Sequence, residues 1–368
     1  MTLKSLLLSS DDKTVRILRR VLGDLEIGLE HFSASDDVIR RITRQRFEAI
    51  IVDCSDPEDA ANVLRAAKAA PVNKRALSVV LVESRIGLKG GFDMGAHFVL
   101  HKPLAVERAK SSFRAVRALM KSERRLQMRV PVQFPVDCVG SARYQARTLD
   151  ICEGGMAVKF NGRKSKESVL RLSFLLPGLD HKFEVWGEMA WETSGDHAGV
   201  RFKDLTEAQR TLLRKWLTKQ SPEPEPDDPP VICRLTELSC AGCYLTTTTP
   251  FPMSTRIALT LRLSGFESRA SAIVRITHPE YGMGVEFLQS NDEQRDHVRQ
   301  LIDSLRANGE FLDLHVQPEG LETAYQDASS PSTVTDDALV ALFCQKTQLS
   351  VDAFLQQMQQ QRELQGSN

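Results

Sequence analysis

The residues best equipped for chemistry in this chain are arginines placed just ahead of a run of short strands. In KSERRLQMRVPVQF, Lys121, Arg124, Arg125 and Arg129 crowd together with Glu123 as the only acid. Three residues separate Arg125 from Arg129, so two guanidiniums can converge on one anion, each giving bidentate, charge-assisted hydrogen bonds to a phosphate or a guanine edge. An arginine cluster by itself is commonly a solvated surface. Here it is followed by DICEGG, Asp150 to Gly155, at the end of a strand. That stretch supplies a carboxylate to accept from guanine N1–H and N2–H₂, a small side chain at Cys152, and Gly155 where the backbone must bend or a planar base must come close. A second constellation lies upstream, where FEAIIVDCSDP puts Asp53 at a strand end with Pro57 four residues on, and GAHFVLHKP puts Lys102 before Pro103.

The elements that position these groups change character along the chain. From Leu3 to about Met120, β-rich runs (LKSLLLSS, FEAIIVD, LSVVLVE, FVLHKP) alternate with helical ones, which predicts an α/β doubly wound, flavodoxin-like domain over residues 1–120. From Val130 short strands bounded by glycine and proline (VQFPVDCV, YQARTLDI, GMAVKF, VLRLSFLL, FEVWGEMAWE, AGVRF) lead into a helix at Thr206–Lys219. This predicts an antiparallel β-barrel closed by a C-terminal helix within residues 121–220. SPEPEPDDPP then reads as a stiff, solvated spacer over 221–230.

Past the spacer the strand pattern repeats. TELSCAGCYLTT echoes TLDICEGGMAVKF, YGMGVEF echoes HAGVRF, and a helix at Asp292–Leu305 echoes the earlier one, so 231–306 reads as a second barrel. Because the spacer stands where the first copy has VQFPVDCV, this second copy is expected to have an open edge, inviting pairing with another chain or with the first barrel, and hence a homo-oligomer. Residues 307–335, polar and rich in Ser and Pro, read as a disordered linker. In 336–364 Ser350 can cap a helix whose Val351, Phe354, Leu355 and Met358 share one face, suited to packing on its own chain or to docking a partner.

An RxxxR just before a β-barrel, followed by D/N-x-S-x-x-G, resembles the PilZ family of cyclic di-GMP receptors. VPV after the second arginine, GVRF near the last strand and the closing helix extend the resemblance over Arg124–Lys219. It implies a non-enzymatic receptor in which Arg125 and Arg129 grip the nucleotide while Asp150, Cys152 and Gly155 hold its other side, with Arg124 as a third guanidinium. Cys152 departs from the family's usual serine and is a weaker hydrogen-bonding group. The second copy keeps Glu237, Ser239 and Gly242 but has no arginine pair ahead of it, so it reads as a degenerate PilZ-like module. The amino-terminal third is similar to a response-regulator receiver. That resemblance implies Asp53 as phosphoacceptor, Asp11 and Lys102 in support, Mg²⁺ if the site is phosphorylated, and a histidine kinase as partner. Ser10 stands where the first acid is expected, and Glu83 or Ser84 where the switch Thr or Ser belongs, which favours a pseudo-receiver used for dimerisation or docking.

The bulk numbers set the limits. A formal net charge of zero gives no global attraction to nucleic acid or anionic lipid, and no helix-turn-helix pattern follows the first domain, so DNA is not an expected partner. No apolar run approaches the ~18–20 residues of a membrane span. The hydrophobic stretch at the start is shorter than a signal peptide's, which predicts a cytoplasmic protein. Seven cysteines, an odd number spread over the chain, argue for reduced thiols. Cys240-Ala-Gly-Cys243, with Cys233 nearby, lacks the second pair or spaced histidines of a zinc site, and His278 and His297 are solitary. No serine–histidine–acid set or phosphate-cradling glycine loop is present. The competing class is a scaffold that acts only through an unidentified protein partner.

Overall fold

Runs of mainly apolar residues without alternation suit strands buried on both faces, and three of the first five strands, AIIVD, LSVVLV and FVLH, have this character. In the computed structural model, which describes residues 2–83, 87–162, 167–193, 196–220, 228–263, 266–289, 292–308 and 312–322, the five are β1 (Leu3–Leu8), β2 (Ile27–Phe32), β3 (Ala49–Asp53), β4 (Leu77–Val82) and β5 (Phe98–His101). They form a parallel sheet of order β2-β1-β3-β4-β5. Helices α1 (Asp12–Asp24), α2 (Ser35–Arg44), α3 (Pro57–Ala69), α4 (Gly87–Asp93) and α5 (Val106–Gln127) complete the layers. Asp11 caps α1 by accepting from the Lys13 N–H, and Asp56 caps α3 ahead of Pro57.

The chain forms two compact units: residues 124–226, and residues 1–123 together with 227–368. In the first of these, β6 (Val130–Pro131), β7 (Pro135–Val139), β8 (Arg143–Cys152), β9 (Gly155–Phe160), β10 (Val169–Leu175), β11 (Lys182–Glu192) and β12 (His197–Phe202) are antiparallel. β7, β8, β9, β12, β11 and β10 close on one another in that order, and β6 adds to β8. Phe174 stacks on Phe134, Phe183 and Phe202 in the core, with ring centroids 5.6, 5.2 and 6.0 Å away. Helix α6 (Glu207–Gln220) buries Leu213, Trp216 and Leu217 there, and the Trp216 Nε1–H donates to Pro177 O at 2.9 Å.

The other unit holds the parallel sheet and the second barrel: β13 (Val231–Leu238), β14 (Gly242–Thr246), β15 (Thr255–Leu263), β16 (Phe266–His278), β17 (Gly282–Phe287), α7 (Asp292–Asn308) and β18 (Asp313–Leu321). One apolar core runs from Phe113 and Met120 of α5 to Phe251, Val285 and Val316 of this barrel.

The expected open edge does not exist. β18 comes from the stretch read as a disordered linker, pairs with both β13 and β15, and closes the barrel. It occupies the place that β7 has in the first barrel: Val316 lies opposite Val231 and Leu259, as Cys138 lies opposite Tyr144 and Leu172. The irregularities coincide as well. The bulge between Thr148 and Asp150 recurs between Leu235 and Glu237, and that between Met189 and Trp191 recurs between Val274 and Ile276. The two barrels therefore share strand order and register, but the second takes its first strand from the far end of the chain, as a circular permutant does. The helix proposed around Ser350 lies outside the described residues.

Candidate functional site

Arg124 and Arg125 sit in the last turn of α5, and Arg129 follows just before β6. β6 pairs with β8 so that Pro131 lies opposite Asp150. This brings the Arg129 guanidinium to the Asp150 carboxylate, Nη1 to Oδ1 at 2.6 Å, with both side chains partly exposed. The β8 bulge makes the arrangement possible. Thr148 and Ile151 are both fully buried although three positions apart, so one extra residue is inserted and Asp150 points outward.

The second bulge does the same for Trp191, a residue that sequence reasoning passed over. Asp150 faces Ala157 across β9, Ala157 faces Gly199 across β12, and Gly199 faces Trp191 across β11. The Trp191 indole lies over Gly199 so closely that a Cβ there would sit 2.1 Å from its Nε1. The outer surface is thus a bay floored by two small residues, with Asp150 and Arg129 at one rim and an indole, 44% exposed, at the other. Three strand spacings separate the backbones of Asp150 and Trp191 by roughly 15 Å along the sheet, and the ring reaches back over Gly199 towards Asp150.

Cys152 and Gly155 also have a part in the hairpin itself. Cys152 is only 4% exposed, the N–H groups of Gly154 and Gly155 point at its sulfur, and burial pushes its thiol pKa up. Ser239 does the same at its turn, where its Oγ accepts from the N–H groups of Ala241 and Gly242 at 3.3 and 3.1 Å. Gly155 is demanded by protein rather than by a base: a Cβ would lie 2.2 Å from the Val200 carbonyl oxygen, and at Gly242 one would lie 2.1 Å from that of Val285. Both residues shape the hairpin that presents Asp150. Glu153, 4% exposed, ties this turn to α6 through Arg214 at 3.0 Å.

In the second barrel the corresponding row is Glu237, Tyr244, Gly284 and Ile276. Tyr244 replaces Ala157 and is itself buried, its hydroxyl 3.0 Å from His278 Nδ1. Burial raises this phenol to about 12. The bay is filled by the protein's own ring. In CAGC, Cys243 is buried inside the barrel while Cys240 is exposed, and among the described residues no group of three His, Cys, Asp or Glu could hold a metal ion.

At the carboxyl end of the parallel sheet, Asp53 is buried and Lys102 Nζ donates to its Oδ1 and Oδ2 at 2.9 and 3.0 Å. Ser9, which sequence reasoning did not single out, donates to Oδ2 at 2.8 Å, and Ser55 to Oδ1 at 3.1 Å. Asp11 turns to α1, accepting from the Thr14 hydroxyl at 2.6 Å, which holds its pKa down. A hard divalent cation needs several oxygen donors. Here Lys102 neutralises Asp53 and also lies 4.0 Å from Asp11 Oδ2, while Ser10 stands where a second acid would add a donor. Ser84 lies outside the described residues. Acetyl phosphate with Mg²⁺ is expected to add no phosphoryl mass at Asp53, as intact-protein mass spectrometry will show.

Residues 123–219 match the PilZ domain family. No curated protein matches the chain. Among solved structures, the receiver domain of a sensor histidine kinase from Pseudomonas aeruginosa PAO1, crystallised with magnesium in its active-site cleft, is similar at 18% identity and a TM-score of 0.29, covering 33% of this chain and 99% of that one. A chemotaxis response regulator of Vibrio cholerae is similar at 18% identity and a TM-score of 0.29, covering 32% and 99%. No helix among the described residues is long and apolar enough to cross a membrane.

Proposed function

We propose that this chain is a cyclic di-GMP receptor whose PilZ domain takes the nucleotide between the arginines at the end of α5 and the Asp150 hairpin. The observation that carries this reading is the 2.6 Å pair of Arg129 with Asp150 at the rim of an outward-facing bay. A dianionic dinucleotide offers the two groups what they offer each other: phosphate or a guanine acceptor edge for the guanidinium, and guanine N–H donors for the carboxylate. Arg124 and Arg125 add charge from the preceding turn. Trp191 gives a base a face to stack on. Cys152 and Gly155 contribute through the shape of the hairpin, so the exchange of serine for cysteine leaves binding in place.

The described groups of the bay are suited to hold an anionic nucleotide, and on this reading the site binds without performing chemistry. The ligand is retained and read as a change in the arrangement of the two compact units, whose boundary falls inside α5. Small-angle scattering of the full chain with and without the nucleotide tests that change. Identical profiles would leave a receptor without a rearrangement. The parallel-sheet domain, with Lys102 closing Asp53 and no free acid pair, is best suited to docking an unidentified protein, and the second barrel, with Tyr244 in its bay, to a structural role.

Base–aromatic stacking contributes on the order of 1–3 kcal/mol. Trp191→Ala is therefore expected to weaken cyclic di-GMP binding about tenfold or more, measured by calorimetry, and the parent's indole fluorescence to change on saturation. Unaltered affinity in the variant would move the base off this rim.

A further inference from the structure

We infer that the second barrel acts as a brace on α5 and that Glu123, the last residue before the arginine pair, is the positioning residue through which it sets where those arginines lie. This rests on the receptor reading above for what the arginines bind, but the brace is built from contacts inside one compact unit. Glu123 is 3% exposed, a carboxylate almost fully withdrawn from water. Its Oε2 lies 3.0 Å from Arg75 Nε in the segment leading to β4, and its Oε1 accepts the backbone N–H of Leu321 at the end of β18. One side chain thus joins the parallel-sheet domain, its last helix and the strand that closes the second barrel.

The rest of the helix is held in the same way. Asp228, just before β13, accepts from Arg117 and Lys121, each at 2.7 Å. These two are one turn apart and share a helix face. Arg117 also reaches Glu26 at 3.1 Å, and further up α5 Arg108 pairs with Glu280 at 3.0 Å. The acidic spacer is therefore more than a connector, since Asp228 is a ligand for two cations of α5. β18 is fixed in turn, by Arg269 on Glu319 and by Arg275 on Glu322, both at 3.2 Å. Arg275 also bonds Glu286 at 2.6 Å.

A helix end clamped at 117, 121 and 123 has its rotation fixed, and Arg124 and Arg125 are the next two residues on it. Fixing the helix up to Glu123 leaves fewer conformations for the two side chains that follow it and so spares part of their ordering cost on binding, about 0.5–1.5 kcal/mol per side chain. This gives the permuted barrel a task that requires no ligand of its own. It also accounts for β18 ending beside Glu123.

The test uses the full chain and three changes remote from the bay: Glu123→Gln, which keeps shape and removes charge, Arg75→Gln and Asp228→Asn. Cyclic di-GMP affinity is measured by calorimetry at two salt concentrations, and exchange of the α5 amides by mass spectrometry. A brace predicts affinity weakened about three- to tenfold, an unchanged salt dependence because the ionic contacts to the ligand remain, and faster exchange across residues 114–127. The inference is overturned if affinity stays within about twofold of the parent, or if the salt dependence falls as it would for a residue touching the ligand. Should Glu123→Gln not fold, the other two variants decide. If the parent itself gives no heat, it is the receptor reading that fails. α5 exchange then judges the brace alone, faster exchange in the variants sustaining it and unchanged exchange removing it.

Discussion

Replacing Arg129 with alanine should weaken cyclic di-GMP binding by at least about thirtyfold while leaving the fold intact. A hydrogen bond to a charged group contributes on the order of 1.5–3 kcal/mol, and a guanidinium can make two in parallel. A loss of about 2 kcal/mol or more corresponds to that factor. The folding side is much smaller. The Arg129–Asp150 pair has side chains 43% and 29% exposed, and such pairs contribute about 0–1 kcal/mol to stability. Affinity and melting temperature should therefore separate: a large loss in calorimetric affinity, with thermal unfolding nearly unmoved. Asp150→Asn serves as the complement. It keeps a carbonyl but puts an N–H₂ beside the guanidinium, so binding should fall about tenfold or more, again with little change in melting. A variant that lost affinity and stability together would instead identify Arg129 as a structural residue.

Ending the chain at residue 311 should unfold the second barrel and leave the PilZ barrel folded. β18 supplies Leu314 and Val316 to the core, both fully buried, and its loss would strip hydrogen-bonding partners from β13 and β15 at once. Two bare edges on a half-open barrel are a template for aggregation. A milder version gives a magnitude. Leu314→Ala should cost about 2–5 kcal/mol, a large part of the ~5–15 kcal/mol by which a domain is stable. Calorimetric unfolding should show the transition of the larger unit displaced, with that of residues 124–226 in place. The decisive form is a rearranged gene with residues 312–322 placed ahead of Val231, where the first barrel carries its own opening strand. If the permutation is real, that protein folds without a strand at its far end; a rearranged chain that stayed unfolded would show that sharing strand order does not make the two arrangements interchangeable.

What the sequence disclosed depended on how local the signal was. The parallel sheet was legible because β3 and β4 are wholly buried strands made almost entirely of apolar residues. The second barrel was legible because TELSCAG and DICEGG keep nearly the same spacing to the glycine pattern that follows. The family resemblance put Arg129 and Asp150 at one site, but their direct pairing was not read from the sequence. β18 was not legible, because its repeat partner lies at the opposite end of the other copy and its sequence, DLHVQPEGL, carries a proline and a glycine inside the strand. Bulges were equally hidden. Insertion of one residue turns Trp191 outward, and nothing in AWETSG announces it. The packing of Cys152 and Gly155 was not legible either, because it comes from the Val200 carbonyl and the turn amides, which belong to the neighbouring strand and to the hairpin. Asp228 was hidden in a run whose prolines and acids suited a solvated spacer, though its carboxylate is held by two cations.

Titration of the purified full-length chain with cyclic di-GMP, followed by heat and by indole fluorescence, bears most directly on the receptor reading. Saturable binding at micromolar or lower concentration, lost in Arg129→Ala and unaffected by excess GTP, is the predicted result. No heat, no fluorescence change and no retained nucleotide at those concentrations would contradict it, leaving the bay between Asp150 and Trp191 without the occupant assigned to it.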